Sequence, residues 1–188
     1  MEQTDDHTKR LFFALWPSDE ERRALARWRD GLAGVRGRSV PAGNLHLTLA
    51  FAGNVDPAVA ECLAARAERV RGVPFNLVLD RTGLFRRGLL WAGTQACPEP
   101  LAALANDLAA VLADCGIAPD PRPFHPHVTL FRNVRGRAPV PDPPAQVWRA
   151  DRFCLVHSRP GAGYAVLKSY PLCGDGPGSL SEHSASVK

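Results

Sequence analysis

His46-Leu47-Thr48-Leu49 and His127-Val128-Thr129-Leu130 write one pattern twice: His, apolar, Thr, apolar. Side chains alternate between the two faces of an extended strand. His46 and Thr48, and likewise His127 and Thr129, therefore share one face, while Leu47, Leu49, Val128 and Leu130 take the other. The copies stand 81 residues apart (127 minus 46), too far for one hairpin and suited to two similar half-domains. Two imidazoles titrate near neutral pH, so one can accept a proton while the other donates one. A pair facing each other across a cleft suits in-line displacement at phosphorus, where one His activates water and the other protonates the leaving oxygen. The Thr hydroxyls beside them can hydrogen-bond the non-bridging phosphoryl oxygens as charge grows there.

Two other readings compete. His125-Pro126-His127 sets two imidazoles at i and i+2 and could ligate a metal, but no Asp, Glu or Cys completes a ligand set at the first copy. A lone His-x-Thr is more often a buried His satisfied by a neighbouring hydroxyl. The duplication in matching strand contexts favours acid–base chemistry without metal.

The elements that would hold these strands follow from periodicity and punctuation. Arg10 to Trp16 is an apolar, aromatic strand stopped by Pro17. Ser18 and Glu21 form a capping-box signature for a helix with Leu25, Trp28 and Leu32 on one side, ending near Gly34. Val35 to Ser39 reads as a loop. The first His strand runs from Leu45 to Ala52, with Leu45, Leu47, Leu49 and Phe51 at a period of two. Asp56-Pro57 opens a second helix that ends before Gly72. Phe75 to Thr94 reads as one long hairpin turning at Arg86-Arg87-Gly88. A third helix carries Leu101, Leu104, Leu108, Val111 and Leu112 and closes at Cys115-Gly116. Pro126 favours an extended entry into the second His strand, His127 to Asn133. Residues 134–147 form a Pro-rich loop, read as a surface connection in preference to a lid. Trp148 to His157 and Tyr164 to Leu172 are a closing pair of strands.

Helices and hairpins alternate irregularly, which predicts an α+β fold and argues against a doubly wound sheet. One bilobal domain is expected over residues 10–173, with disordered tails at 1–9 and 174–188. The formal charge of +4 and pI near 9.0 are mildly basic. That balance is compatible with an anionic substrate such as an RNA end, and equally with an Arg-rich soluble protein. No strong basic stripe stands out, so contacts are expected to concentrate on the terminal nucleotides. The five cysteines are scattered without a C-x-x-C pair. They indicate neither a disulfide framework nor a zinc site, and Cys62 and Cys115 fall on helical apolar stripes as small buried hydrophobes. With no signal-peptide pattern or membrane-length apolar run, the expectation is a reducing cytoplasm.

With the segments RLFFALWP (10–17), NLHLTLAFAGN (44–54), RPFHPHVTLFRN (122–133) and GYAVLKSYPL (163–172), the chain resembles the bacterial RNA 2',3'-cyclic phosphodiesterases. These are historically called 2'-5' RNA ligases and belong to the two-histidine phosphoesterase superfamily. The resemblance implies a bilobal α+β fold with two antiparallel sheets around a cleft, the lobes related by a pseudo-two-fold, and helices outside. It also implies catalysis with no cofactor and no metal, opening an RNA 2',3'-cyclic phosphate to a 2'-phosphomonoester. On this resemblance His46, Thr48, His127 and Thr129 are the catalytic candidates, with His127 activating water and His46 protonating the departing 3' oxygen. Arg132 is the candidate phosphate contact. Strict alternation puts it on the wrong face, so a bulge or the strand's end must turn it inward. Phe13 is a candidate base-stacking residue, against ordinary core packing. His157 reads as a strand-end or rim residue, and His7 and His183 match no motif. Reversible 2'-5' ligation and a non-catalytic RNA-end binding module are the alternatives. The expected partners are RNA ends or cyclic nucleotides, with no membrane, and the expected state is a monomer.

Overall fold

The computed structural model describes residues 8–136, 140–143 and 146–174. The two expected tails lie almost wholly outside the described residues, as does part of the Pro-rich loop. β1 (Lys9–Leu15) ends at Pro17, and Ser18 then caps α1 (Asp19–Asp30). The Ser18 hydroxyl accepts from the Glu21 N–H at 3.3 Å and the Glu21 carboxylate accepts from the Ser18 N–H at 2.8 Å. α1 stops with Gly31 as its cap, short of the expected Gly34. The stretch read as a loop contains a short strand, β2 (Arg38–Ser39), and a 3-10 turn over Ala42–Asn44 then leads to β3 (Leu47–Val55). α2 (Pro57–Ala67) opens as its sequence predicts, with the Asp56 carboxylate accepting from the Val59 N–H. α3 (Glu99–Asp114) ends at Cys115, followed by Gly116 at φ +79°.

The expected single hairpin of residues 75–94 is instead three strands, β4 (Phe75–Leu79), β5 (Arg81–Phe85) and β6 (Leu89–Gly93). Asp80 is the breakpoint. Its N–H donates to the Gly93 carbonyl and its carboxylate accepts from the Gln95 N–H, which frees β4 to leave the pair. The closing strands divide in the same way, into β8 (Gln146–Ala150) and β9 (Arg152–Arg159), followed by β10 (Gly163–Pro171). At that break the Asp151 carbonyl accepts from the Leu172 N–H. β4 and β8 then pair with each other as a small antiparallel sheet, setting Leu77 opposite Trp148.

All the other strands form one antiparallel sheet of order β10-β9-β1-β3-β7-β6-β5, with β7 (His127–Arg132) also pairing β2. The fold is thus α+β with two antiparallel sheets, as expected. The larger sheet has two halves that meet at one residue pair, Leu47 opposite Val128. Both side chains are fully buried. Each is the second residue of its motif, so the joint brings the two histidines together.

Each motif strand carries a bulge at the same place. β1 pairs Phe13 with Ala50 and Ala14 with Thr48, which leaves Leu49 as the extra residue on β3. β6 pairs Leu90 with Phe131 and Trp91 with Thr129, which leaves Leu130 as the extra residue on β7. A bulge interrupts the two-residue alternation. Leu49 and Ala50 are therefore both buried, as are Leu130 and Phe131, and the next residue in each strand returns to the motif face.

The described part of the Pro-rich loop is tied to β5, where the Asp142 carboxylate accepts from the Thr82 N–H, consistent with a surface connection. One expectation fails on the helical side. Cys62 and Cys115 are not separate thiols but a disulfide joining α2 to the end of α3. The apolar stripes that marked both residues as buried face each other where the two helices pack, which brings their Cα atoms to 5.9 Å. An Arg66–Asp114 ion pair links the same helices.

Leu47→Ala empties a fully enclosed site at the joint and should cost about 2–5 kcal/mol in urea unfolding. A loss below about 1 kcal/mol would mean that the joint is not close-packed.

Candidate active site

The two halves of the sheet enclose a cleft of about 250 Å³. Its lining includes His46, Thr48 and Phe51 from the first motif strand and His127, Thr129 and Arg132 from the second. The two triplets have the same spacing, because in each strand the bulge carries the fifth residue after the His back to the His face. Arg132 therefore does face the cleft, through the bulge that alternation required.

Each imidazole is fixed at Nδ1 by the backbone two residues earlier. His46 Nδ1–H donates to the Asn44 carbonyl at 2.7 Å, and His127 Nδ1–H donates to the His125 carbonyl at 2.7 Å. A carbonyl can only accept, so in the neutral rings the proton sits on Nδ1 and Nε2 is the basic atom. In His46 that Nε2 accepts from the Thr48 hydroxyl at 3.1 Å.

Aromatic rings enclose His46. Trp16 stacks on it at a 15° interplanar angle and 5.6 Å between centroids, with Phe12 at 4.9 Å and Tyr164 edge-on at 5.0 Å. The Arg22 guanidinium lies over the same Trp16 ring, 5.8 Å from its centroid. Removal from water lowers the His46 pKa from its ordinary 6.5 to about 4. The positive charge of Arg132 and the proximity of His127 push the same way, and the Asn44 hydrogen bond opposes them. His127, edge-on to Phe85 at 5.0 Å, is also lowered, first by burial and then by His125 and Arg132, against the His125 carbonyl bond. Both rings are therefore neutral bases at neutral pH.

Phe13 is not at the site. It is fully buried, edge-on to Phe153 in the core, because alternation along β1 gives the cleft face to its neighbour Phe12. Phe51, grouped by its period with the inward leucines, is 46% exposed on the cleft rim, with the Arg10 guanidinium 4.8 Å from its ring centroid. Arg10, Phe12, Ser158 and Tyr164 complete much of the lining and went unread in the sequence. RLFFALW looks like one buried run, and only its place between β3 and β9 distinguishes the face of Phe12 from that of Phe13. His157, on the opposite face from Ser158, pairs across to Leu11 and Ala165. Among the described residues no group of three or more His, Cys, Asp or Glu side chains converges as a metal site would require. His125 and His127 stand with ring centroids 6.2 Å apart.

The 2'-5' RNA ligase superfamily matches residues 16–161 of this chain. The RNA 2',3'-cyclic phosphodiesterase of Escherichia coli K12 is 39% identical over 171 residues, covering 87% of this chain and 97% of the relative. The enzyme of that name from Aeropyrum pernix is 33% identical over 123 residues, covering 62% and 69%. The crystal structure of E. coli LigT complexed with 3'-AMP superposes with a TM-score of 0.82 at 36% identity, covering 88% of this chain and 98% of that one. A protein of Thermus thermophilus, TT0787, superposes with a TM-score of 0.76 at 30% identity, covering 89% and 100%.

The depressed His46 pKa has a consequence for stability. Between pH 6.5 and about 4 the unfolded chain binds a proton at this residue that the folded chain refuses, so stability falls as pH drops through that window. Urea unfolding at pH 7 and pH 4.5 should show a His46 contribution to this loss on the order of 2 kcal/mol. His127 adds to the loss with the same sign, so His46→Gln should shrink it without removing it. An unchanged loss in His46→Gln would show that the ring is not held neutral. Trp16→Ala admits water to the same ring and should move the acid limb of any His46-dependent pH profile upward.

Proposed function

We propose that this chain, which belongs to the 2'-5' RNA ligase superfamily, hydrolyses RNA 2',3'-cyclic phosphate ends to 2'-phosphomonoesters without a metal. The observation that carries this reading is the pair of imidazoles. Each is fixed by a backbone carbonyl at Nδ1 and each lines the same small cleft, which also holds Arg10, Arg132 and two Thr hydroxyls.

The chemistry follows from the charges. A cyclic phosphodiester is an anion, and its arrival opposes both causes that depress the histidines, burial without a counter-charge and the repulsion from Arg132. Binding therefore draws one proton into the cleft. With the roles that the family resemblance implies, His46 takes that proton on Nε2 and becomes the donor to the Thr48 Oγ, and the Thr48 O–H is then free to turn toward a non-bridging phosphoryl oxygen. His127, which stays neutral, removes a proton from water as the water oxygen bonds to phosphorus. The bond from phosphorus to the 3' oxygen breaks, and His46 delivers its proton to that oxygen. Thr129 and Arg132 stabilise the charge on the non-bridging oxygens. His127 ends protonated by the water's proton and His46 ends neutral, and proton exchange with solvent resets the pair. All of these groups come from one chain, which supports a monomeric enzyme. We place it in the cytoplasm with its RNA substrates, a placement to which the cysteines lend no support, since Cys62 and Cys115 are bridged. No helix among the described residues is long and apolar enough to cross a membrane.

His46→Ala and His127→Ala should each lower turnover of a nucleoside 2',3'-cyclic phosphate by about 10²-fold or more, in EDTA as without it. Wild-type activity in either variant would refute the shared mechanism. Replacing the leaving 3' oxygen by sulfur removes the need for an acid. It should restore His46→Ala far more than His127→Ala, and the reverse pattern would exchange the two roles.

A further inference from the structure

The formal charge of +4 conceals a segregation. None of the eight strands of the large sheet contains an Asp or Glu, whereas they contain Lys9, Arg10, Arg38, Arg81, Arg132, Arg152, Arg159 and Lys168. The carboxylates of the described residues lie on the three helices and on the connections. Beside the cleft, backbone pairing brings the arginine-bearing segments together. Arg38 is the cross-strand partner of Arg132, so the two side chains share the face on which Arg132 lines the cleft. The Arg135 N–H donates to the Arg36 carbonyl at 2.9 Å, which prolongs the contact past the strand ends. Gly37 makes that approach possible, since a Cβ there would come within 2.8 Å of a Val134 methyl. The Val134 N–H donates to the Gly88 carbonyl at 3.0 Å, which docks the turn carrying Arg86 and Arg87 onto the same rim. None of these six arginines makes an ion pair among the described residues, although arginines elsewhere on the molecule pair with Asp.

We infer that the arginine rim formed by β2, the segment after β7 and the β5–β6 turn binds the phosphates of the RNA strand upstream of the reacting end. The preferred substrate is then an oligonucleotide, not a cyclic mononucleotide. The inference rests on the phosphodiesterase reading and replaces the expectation that contacts concentrate on the terminal nucleotides. A terminal cyclic phosphate brings one negative charge into the cleft, and every upstream nucleotide adds one outside it. Exposed guanidinium groups with no carboxylate partner meet those charges at no cost in broken ion pairs. Because the contacts are to phosphate, they add affinity without reading sequence, and salt weakens them.

The test compares kcat/KM of the full chain for adenosine 2',3'-cyclic phosphate and for a six-nucleotide RNA with a 2',3'-cyclic end, across a range of NaCl concentrations. Three upstream contacts predict a log–log salt slope for the hexamer steeper than that for the mononucleotide by roughly 2, at about 0.7 per single-strand phosphate contact. The triple variant Arg36→Gln, Arg38→Gln, Arg135→Gln should lower kcat/KM for the hexamer at least tenfold at low salt and flatten its slope. Turnover of the mononucleotide should stay within about twofold. Equal turnover and equal slopes for the two substrates, or a variant that affects both alike, would overturn the inference. If neither substrate is turned over, the phosphodiesterase reading fails. Filter binding of the hexamer then still decides the rim, since a triple variant that keeps wild-type affinity and slope would exclude it.

Discussion

The cleft depends on a bulge repeated in two strands. A motif strand has to keep its leucines in the core and its His and Thr in the cleft, which plain alternation achieves for three or four residues. Beyond that, alternation would bury Arg132 and Phe51 on the wrong sides. Leu49 and Leu130, one extra residue in each strand, correct this by placing two consecutive side chains in the core, and the fifth residue after each His swings back to the site. Burial of Leu130 and Phe131 stabilises the bulge, so the same apolar packing that holds the sheet together also delivers the guanidinium. The single pair between Leu47 and Val128 then sets the two triplets against each other.

Electrostatics supplies the second half of the design. Among the described residues the cleft has no carboxylate to hold a protonated imidazole, and its walls are aromatic, so both histidines are poised as neutral bases with Nε2 as the basic atom. Such a site is poorly suited to cations and becomes complementary only when an anion enters. In the proposed reaction, substrate charge, not a resident Asp, permits one ring to hold a proton. On that proposal the acid form is made in the presence of the group it serves, which ties proton uptake to binding.

Much of this was legible in the residues alone. The capping box at Ser18 and Glu21, the Asp56-Pro57 start of α2, the Cys115-Gly116 close of α3 and the two motif strands are local signals, and the local geometry obeys them. Arg132 was placed by deducing that a bulge must exist. What failed is decided by partners distant in sequence. RLFFALW cannot say whether Phe12 or Phe13 meets solvent until β3 and β9 flank it. The break at Asp80 is invisible until β8 offers β4 another edge, and the Cys62–Cys115 bridge exists only because two helices with ordinary apolar stripes pack together. No local run in the sequence marks the arginine rim, because its members come from three separate segments.

The account stands most directly on one product analysis. Adenosine 2',3'-cyclic phosphate, incubated with the protein in ¹⁸O-labelled water with EDTA present, is followed by phosphorus NMR. The arrangement of one His for water and one for the 3' oxygen predicts a single product, the 2'-phosphomonoester, with one ¹⁸O atom on phosphorus. A 3'-phosphate product, or turnover that stops on chelation, would contradict it.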